Sequence, residues 1–360
     1  MRFVLFAHSL LSDWNHGNAH FLRGMMRAMI DRGHEVRVFE PEDGWSRRNL
    51  IAEHGDAALG RVAAALPGLT STLYRAPSLD LDEALQGADL VLAHEWNDPT
   101  ILRRLARHRV RVGGYRLLYH DTHHRAVSAP ETLPSLDGFD GVLAYGDSLR
   151  AVWAARGWGR RAFTWHEAAD DTLFRPLPGE PIEGDLVWIG NWGDGERTTE
   201  LVEYLLLPIR QLGLKALIHG VRYPENAVRA VAEAGARWGG WSPNHEVPRL
   251  FARHRVTVHV PRRPYVEALP GIPTIRVFEA LACGIPLVSA PWRDSEGLFR
   301  PGRDFLMAID GRAMTRHLRD LLADPAMAAE MAASGLETIR ARHTCAHRLD
   351  ELIAIRREVA

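Results

Sequence analysis

Cysteine is nearly missing from this 360-residue chain: Cys283 and Cys345 are the only two. Two isolated thiols build no disulfide framework, and such sparing use suits a reducing compartment. An excess of either charge is missing as well. Lys and Arg number 44 against 45 Asp and Glu, a net charge of −1, so no basic excess offsets nucleic-acid phosphates and no nucleic-acid partner is expected. No apolar run is long enough to span a bilayer. Met1 leads at once into Arg-Phe-Val-Leu-Phe-Ala, too short and too early for a signal peptide, so a cytoplasmic chain is expected. Repeats and low-complexity tracts are also lacking. What remains is 46% hydrophobic and 25% charged, a globular composition at a length that suits two domains better than one.

Periodicity and turn signals resolve the chain into alternating elements. Residues 2–7 are an apolar run of strand length, and a polar loop over 8–17 follows. Leu22, Met25, Met26, Met29 and Ile30 then mark the buried stripe of a helix that Gly33 ends. Residues 35–40 read as the next strand. Strand, helix and strand within this span predict a βαβ unit and a parallel sheet, with ligand groups in loops at strand C-terminal ends. Further strands are expected at 71–75, 89–93, 116–120, 141–145 and 161–165, with a helix over 147–156. The Pro- and Gly-rich run 176–184 separates this half, 1–175, from a second α/β half, 185–342. Strands are expected there at 185–189, 215–219, 256–260 and 305–309, with a short strand and turn over 237–241. The final stretch, 345–360, reads as a helix with Leu349, Leu352 and Ile353 on its apolar side.

Several loops carry side chains with chemistry. Gly17, in Asn15-His-Gly-Asn18, admits either close approach of a ligand to the backbone or a plain turn. His120-Asp-Thr-His-His124 crowds three histidines and an acid into five residues, yet it lacks the separated ligands or the His-x3-His spacing of a metal site. Asp80-Leu-Asp82 precedes Glu83-Ala-Leu and reads as the acidic first turn of a helix in preference to a cation clamp. Gly190-Asn-Trp-Gly-Asp-Gly-Glu-Arg197 is a strand-to-helix loop in which Arg197 is either a diphosphate ligand or a solvated cation. Trp241 suits either a nucleobase or packing.

The most organised stretch is 271–284, Gly-Ile-Pro-Thr-Ile-Arg-Val-Phe-Glu-Ala-Leu-Ala-Cys-Gly, with Ile-Pro-Leu-Val-Ser after it. Thr274 reads as the N-cap of a short helix and Gly284 as its end. A helix opening from a Gly/Pro loop turns unpaired N–H groups on whatever lies above it, an environment that favours a diphosphate. Arg276 adds charge, and Glu279, three residues on, can accept hydrogen bonds from two ribose hydroxyls. The same spacing also fits a surface ion pair.

The words Phe-Glu-Ala-Leu-Ala-Cys-Gly-Ile-Pro-Leu-Val at 278–288 resemble the donor-site helix of group 1 glycosyltransferases, most closely the branch with the spore-maturation CgeB-like proteins. Glu167-Ala-Ala-Asp-Asp-Thr-Leu-Phe-Arg-Pro176 is similar to the segment that ends the family's first domain, with Glu167 and Ala168 in place of Asn and Gly. The resemblance implies an α/β fold of two facing Rossmann-like domains (GT-B type) with an interdomain cleft. The N-terminal domain would take the acceptor and the C-terminal domain the donor, with the last helix crossing back onto the first domain. It implies hexosyl transfer from a nucleotide sugar, UDP-linked in preference to GDP-linked, to an unidentified acceptor, without a metal or other cofactor and with retention. His120 and Glu279 are the catalytic candidates, His120 against the donor hexose. Gly17, Asn191, Arg197, His219, Trp241, Thr274, Ile275, Arg276 and Glu279 are the candidates for holding the nucleotide sugar. One departure stands out: the family's second acid, eight positions before Glu279, is here Gly271, with Glu267 as the nearest substitute. An epimerase or hydrolase on the same fold, or a non-catalytic scaffold related to spore or envelope assembly proteins, are the other classes compatible with the residues.

Overall fold

The computed structural model describes residues 1–359. The chain divides into two units, one of Met1–Glu167 together with the stretch from Cys345 on, the other Ala168–Thr344. The division falls ahead of the Pro- and Gly-rich run because the Ala169 N–H donates to the His343 carbonyl at 2.9 Å. Ala169 also bridges to Thr344, which ties this segment to the second unit.

In the first unit β1 (Arg2–Phe6), β2 (Glu35–Pro41), β3 (Thr72–Tyr74), β4 (Leu90–His94), β5 (Arg116–Asp121), β6 (Gly141–Ala144) and β7 (Ala162–Thr164) form one sheet. Their order is β3-β2-β1-β4-β5-β6-β7, and every pairing is parallel. Helices on both faces explain why β4 reads Leu-Val-Leu-Ala-His without alternation, since all five residues are buried. The helix Ala19–Asp31 buries Leu22, Met25, Met26 and Met29. Ile30, expected in that stripe, is exposed, because it falls on the outer flank of the last turn. The final helix, Cys345–Glu358, packs against Ala19–Asp31 with Leu349 and Leu352 buried. The helix expected over 147–156 ends its regular α part at Trp153 and widens into a π turn, in which Gly157 has φ +93°.

In the second unit β8 (Gly184–Ile189), β9 (Ala216–His219), β10 (Arg237–Trp238), β11 (His254–His259), β12 (Leu287–Ser289) and β13 (Leu306–Met307) run in the order β10-β9-β8-β11-β12-β13, again all parallel. The loop expected over 261–273 contains a short helix, Arg263–Glu267. The amphipathic stretch at 245–254 is a helix only over Val247–Ala252.

Each sheet reverses its strand order at one point, between β1 and β4 in the first and between β8 and β11 in the second. Loops leaving the C-terminal ends of those strands diverge and open a crevice, so these two places are where a parallel sheet offers a site. No helix among the described residues is long and apolar enough to cross a membrane.

Candidate functional site

At the second unit's switch point the loop after β8 carries Asn191 and Arg197, the segment after β11 carries Arg262, and the helix Ile275–Cys283 begins beside them. The half-buried Arg197 side chain donates from Nη1 to the Val260 carbonyl at 2.9 Å and from Nη2 to the Asn191 carbonyl at 2.8 Å and Oδ1 at 3.0 Å. It lies over the Trp188 ring, 5.2 Å from the centroid. Its Nε–H has no hydrogen-bond partner among the described residues. Burial first, then the charges of Arg262 and Arg276, lower its pKa to about 10. It therefore stays cationic at neutral pH while hydrogen-bonded to neutral oxygens only, with Glu196 acting on it through charge alone. Gly193 makes room for this side chain: a Cβ there would lie 2.9 Å from Arg197 Nε. Arg262 donates to Glu196 Oε2 at 2.6 Å and to Asn191 Oδ1 at 3.1 Å. Lys215, the only lysine in the chain, precedes β9 at the opposite end of the sheet, so the positive charge here is arginine alone.

Thr274 occupies the N-cap position of the helix, but its hydroxyl caps nothing. That hydroxyl lies 3.1 Å from His259 Nε2, and His259 Nδ1 lies 2.9 Å from Ser289 Oγ. Ser289 spends its proton on the Ala290 carbonyl at 2.8 Å, so His259 must donate from Nδ1 and accept from Thr274 at Nε2. Complete burial, and secondarily Arg197, lower the His259 pKa to about 3. The ring is neutral, and Thr274 has no proton left for an anion. What this end of the helix can offer is backbone: the first intrahelical bond is Val277 N–H to the Thr274 carbonyl, so the N–H groups before it point outward. Ile275 is buried and contributes only its amide.

Glu279 is fully buried, which removes the surface ion pair as a reading of this spacing. It accepts from Asn244 Nδ2 at 2.9 Å through Oε1 and from Arg276 Nη1 through Oε2. Arg276 keeps 27% of its side chain exposed, so the pair reaches solvent on the arginine side only. Gly271, where an acid was expected, has φ +93°, and a Cβ there would strike Ser295 Oγ and come within 3.0 Å of Glu296 Oε1. Left-handed backbone and lack of room exclude a side chain there. The carboxylate beside it belongs to Glu296, while Glu267 is exposed at the end of its short helix. His219 ends β9 and meets the Gly240 carbonyl at 3.1 Å through Nδ1; its pKa is lowered, chiefly by burial. Trp241 is half-buried in the loop after β10.

The first unit holds the other candidates. His120, in β5, is 1% exposed and packs edge-on against Trp165, ring centroids 4.9 Å apart, and against His94 at 5.4 Å. Its Nε2 has no hydrogen-bond partner among the described residues, and burial lowers its pKa to about 3. Asp121 accepts instead from Trp153 Nε1 at 2.7 Å and the His123 N–H at 3.3 Å. Thr122 donates to Glu95 at 2.9 Å. Among the described residues no three of His, Cys, Asp and Glu gather as metal ligands. Asp80 caps its short helix by accepting from the Asp82 and Glu83 N–H groups. Gly17 lies in the turn before Ala19–Asp31, and its carbonyl accepts from the His20 N–H at 3.3 Å.

An arginine-lined switch point beside a helix N-terminus is an arrangement suited to an anionic, phosphate-bearing ligand. Residues 197–354 match the family described as glycosyl transferase-like. The whole chain shares the GT-B fold with solved structures of low identity. A sucrose-phosphate synthase from Thermosynechococcus elongatus is 15% identical, with 98% of each chain covered and a TM-score of 0.65. The Anabaena protein HepE, solved with UDP and glucose, is 14% identical, with 98% of this chain and 99% of that one covered and a TM-score of 0.65. An alpha-glucosyltransferase solved with UDP is 14% identical, with 99% of each chain covered and a TM-score of 0.71. No curated protein matches the sequence. The fold is therefore that of the GT-B glycosyltransferases, and the stretch 197–354, most of it in the second unit, is the part that matches the glycosyl transferase-like family.

Proposed function

We propose that the chain transfers a hexose from a nucleotide sugar, UDP-linked in preference to GDP-linked, to a hydroxyl acceptor. The observation that carries this is the cluster of Arg197, Arg262 and Arg276 around the amides that open the helix Ile275–Cys283, with the Arg197 Nε–H still unspent. A diphosphate supplies the missing acceptor oxygens and a negative charge in direct contact, and fixed donors aimed at a leaving diphosphate stabilise the charge that develops as the glycosidic bond breaks. Arginine and backbone take the place a divalent cation fills in other designs, so metal is dispensable in this reading. The UDP-bound similar structures support the base assignment.

In this reading Arg276 turns from Glu279 to the phosphates, and Glu279, still held by Asn244, accepts the ribose hydroxyls through the oxygen released. Thr274 and Ile275 act through their amides, with Asn191, His219, Trp241 and Gly17 at the margins of the nucleotide sugar. His120 orients the hexose through its open Nε2. Glu296 supplies the carboxylate that position 271 has no room for, and the anomeric configuration is retained.

A melting-temperature screen in chelator tests this. UDP and UDP-hexoses are expected to raise the melting temperature in proportion to the logarithm of concentration. Absence of a shift for every nucleoside diphosphate and sugar nucleotide would remove the proposal. With a donor identified, the anomer of the product decides retention, and donor consumed at full rate without acceptor would make the chain a hydrolase or epimerase.

A further inference from the structure

The first unit's own switch point carries a second constellation that the donor chemistry does not use. Phe6 pairs with Phe39 of β2 and with Ala93 of β4, so His8, two residues beyond, emerges between the loops that follow those two strands. Each loop presents an indole. Trp45 opens the helix Trp45–His54 and Trp96 follows β4; their exposures are 38% and 41%. Large apolar rings left this open at a sheet's C-terminal edge cost hydration free energy unless a ligand covers them.

Both rings are held in place. Trp45 meets Trp14 edge-on with centroids 4.9 Å apart, and its ring lies 6.3 Å from that of His8. Trp96 carries the Arg125 guanidinium 4.2 Å from its centroid and meets the His123 ring edge-on with centroids 5.1 Å apart, yet 41% of its surface stays exposed. Between them lie two imidazoles, each 7% exposed, with ring centroids 5.2 Å apart. His8 donates to the Trp96 carbonyl and His16 to the Ser9 carbonyl. One nitrogen of each, Nδ1 of His8 and Nε2 of His16, has no hydrogen-bond partner among the described residues. These nitrogens present lone pairs, and a buried acceptor without a donor is itself a cost that a hydroxyl would remove.

Flat rigid apolar faces beside hydrogen-bond acceptors select a ligand that is apolar across its ring faces and carries O–H donors on its rim. A pyranose has that shape. We infer that the acceptor, which the resemblance assigns to this unit, is a carbohydrate, seated on the indoles of Trp45 and Trp96 with hydroxyls donating to His8 Nδ1 and His16 Nε2. The inference rests on the glycosyl transfer proposed above, and it narrows the acceptor to a saccharide. A nucleobase would also stack, but it carries no rim of hydroxyls, and the chain's net charge of −1 offers nothing general to a nucleic-acid backbone.

The test uses the full chain and short oligosaccharides of glucose, galactose, mannose and N-acetylglucosamine, with a short single-stranded oligonucleotide beside them. Saturation-transfer NMR reads binding without any donor, so it stands independently of the transferase reading. At least one saccharide should show transfer that Trp45→Ala and Trp96→Ala each weaken tenfold or more and that the Phe variants largely keep. UDP affinity should stay within about twofold of wild type. With a donor supplied, the same variants should raise the acceptor KM at least tenfold and move kcat far less. Saccharide binding that the Ala variants leave unchanged would overturn the inference. So would no saccharide binding at all, or binding of the oligonucleotide alone. Lost UDP binding with saccharide transfer intact would instead count against the donor assignment and leave this site standing.

Discussion

At the residue scale, the proposed donor site is defined by what each polar group has left to give. Thr274 has given its proton to His259, Glu279 accepts from Asn244 and Arg276, and Arg197 retains an unspent N–H. Arg276→Ala is therefore expected to weaken nucleoside diphosphate binding by about 1.5–3 kcal/mol, the scale of a hydrogen bond to a charged group, and to leave nucleoside binding nearly unchanged. The same change takes one partner from a buried carboxylate, so the melting temperature should fall as well. Calorimetry with UDP and uridine separates the two effects, and equal losses for both ligands would make Arg276 purely structural. His120→Ala is expected to lower turnover about a hundredfold with nucleoside diphosphate affinity intact, the cost of one misplaced orienting contact. A stable variant with normal turnover would remove His120 from the site. Gly271→Ala, at φ +93° and against Ser295, should destabilise the protein by about 1–3 kcal/mol, read from denaturant midpoints.

At the element scale, the helix Ile275–Cys283 is held from two sides. Gly335, in the helix Pro325–Arg342, lets the two helices close: a Cβ there would lie 2.7 Å from Leu281 Cδ2 and 3.0 Å from the Asp304 carbonyl. Gly335→Ala should cost about 1–3 kcal/mol by overpacking and weaken nucleotide binding through the displaced helix. On the other side His259 joins β11 to β12 through Ser289 and to the helix through Thr274. Its pKa of about 3 in the folded chain lies below the ordinary 6.5, so its contribution is complete above pH 6.5 and is lost as pH falls towards 3. In the middle of that window unfolding takes up nearly one proton at this ring, a slope of about 1.4 kcal/mol per pH unit. His259→Gln should flatten the pH dependence of second-unit stability between pH 6 and 4.5, and an unchanged slope would contradict the burial argument.

The same helix shows how much was legible beforehand. Its bounds, its Gly284 terminus and its Arg276–Glu279 spacing follow from local rules, because caps and i, i+3 geometry act within one turn. The strands were likewise legible as apolar runs, since both sheets are covered on both faces. The partners were not. Asn244, Arg262, His259 and Glu296 reach the site only through parallel pairing of strands distant in sequence, and the row from His8 to His120 exists only because β1, β4 and β5 are neighbours. The role expected of Thr274 as a side-chain cap failed for the same reason: a buried imidazole from another strand competes for the hydroxyl.

At the scale of the whole molecule, two parallel sheets each place charge and rings at the C-terminal edge of their own switch point. In the second unit these are arginines, in the first imidazoles and indoles. The proposed function assigns the nucleoside diphosphate to the second unit. Hydrogen exchange with and without UDP, followed by mass spectrometry, tests that most directly. The account predicts slowed exchange at 190–197 and at the start of the helix Ile275–Cys283, with UDP at a hundred times its dissociation constant stabilising the second unit by about 2.7 kcal/mol. Uridine should do neither, and Arg197→Ala with Arg276→Ala should abolish both effects. Protection centred on the first unit, or protection by uridine equal to that by UDP, would contradict it.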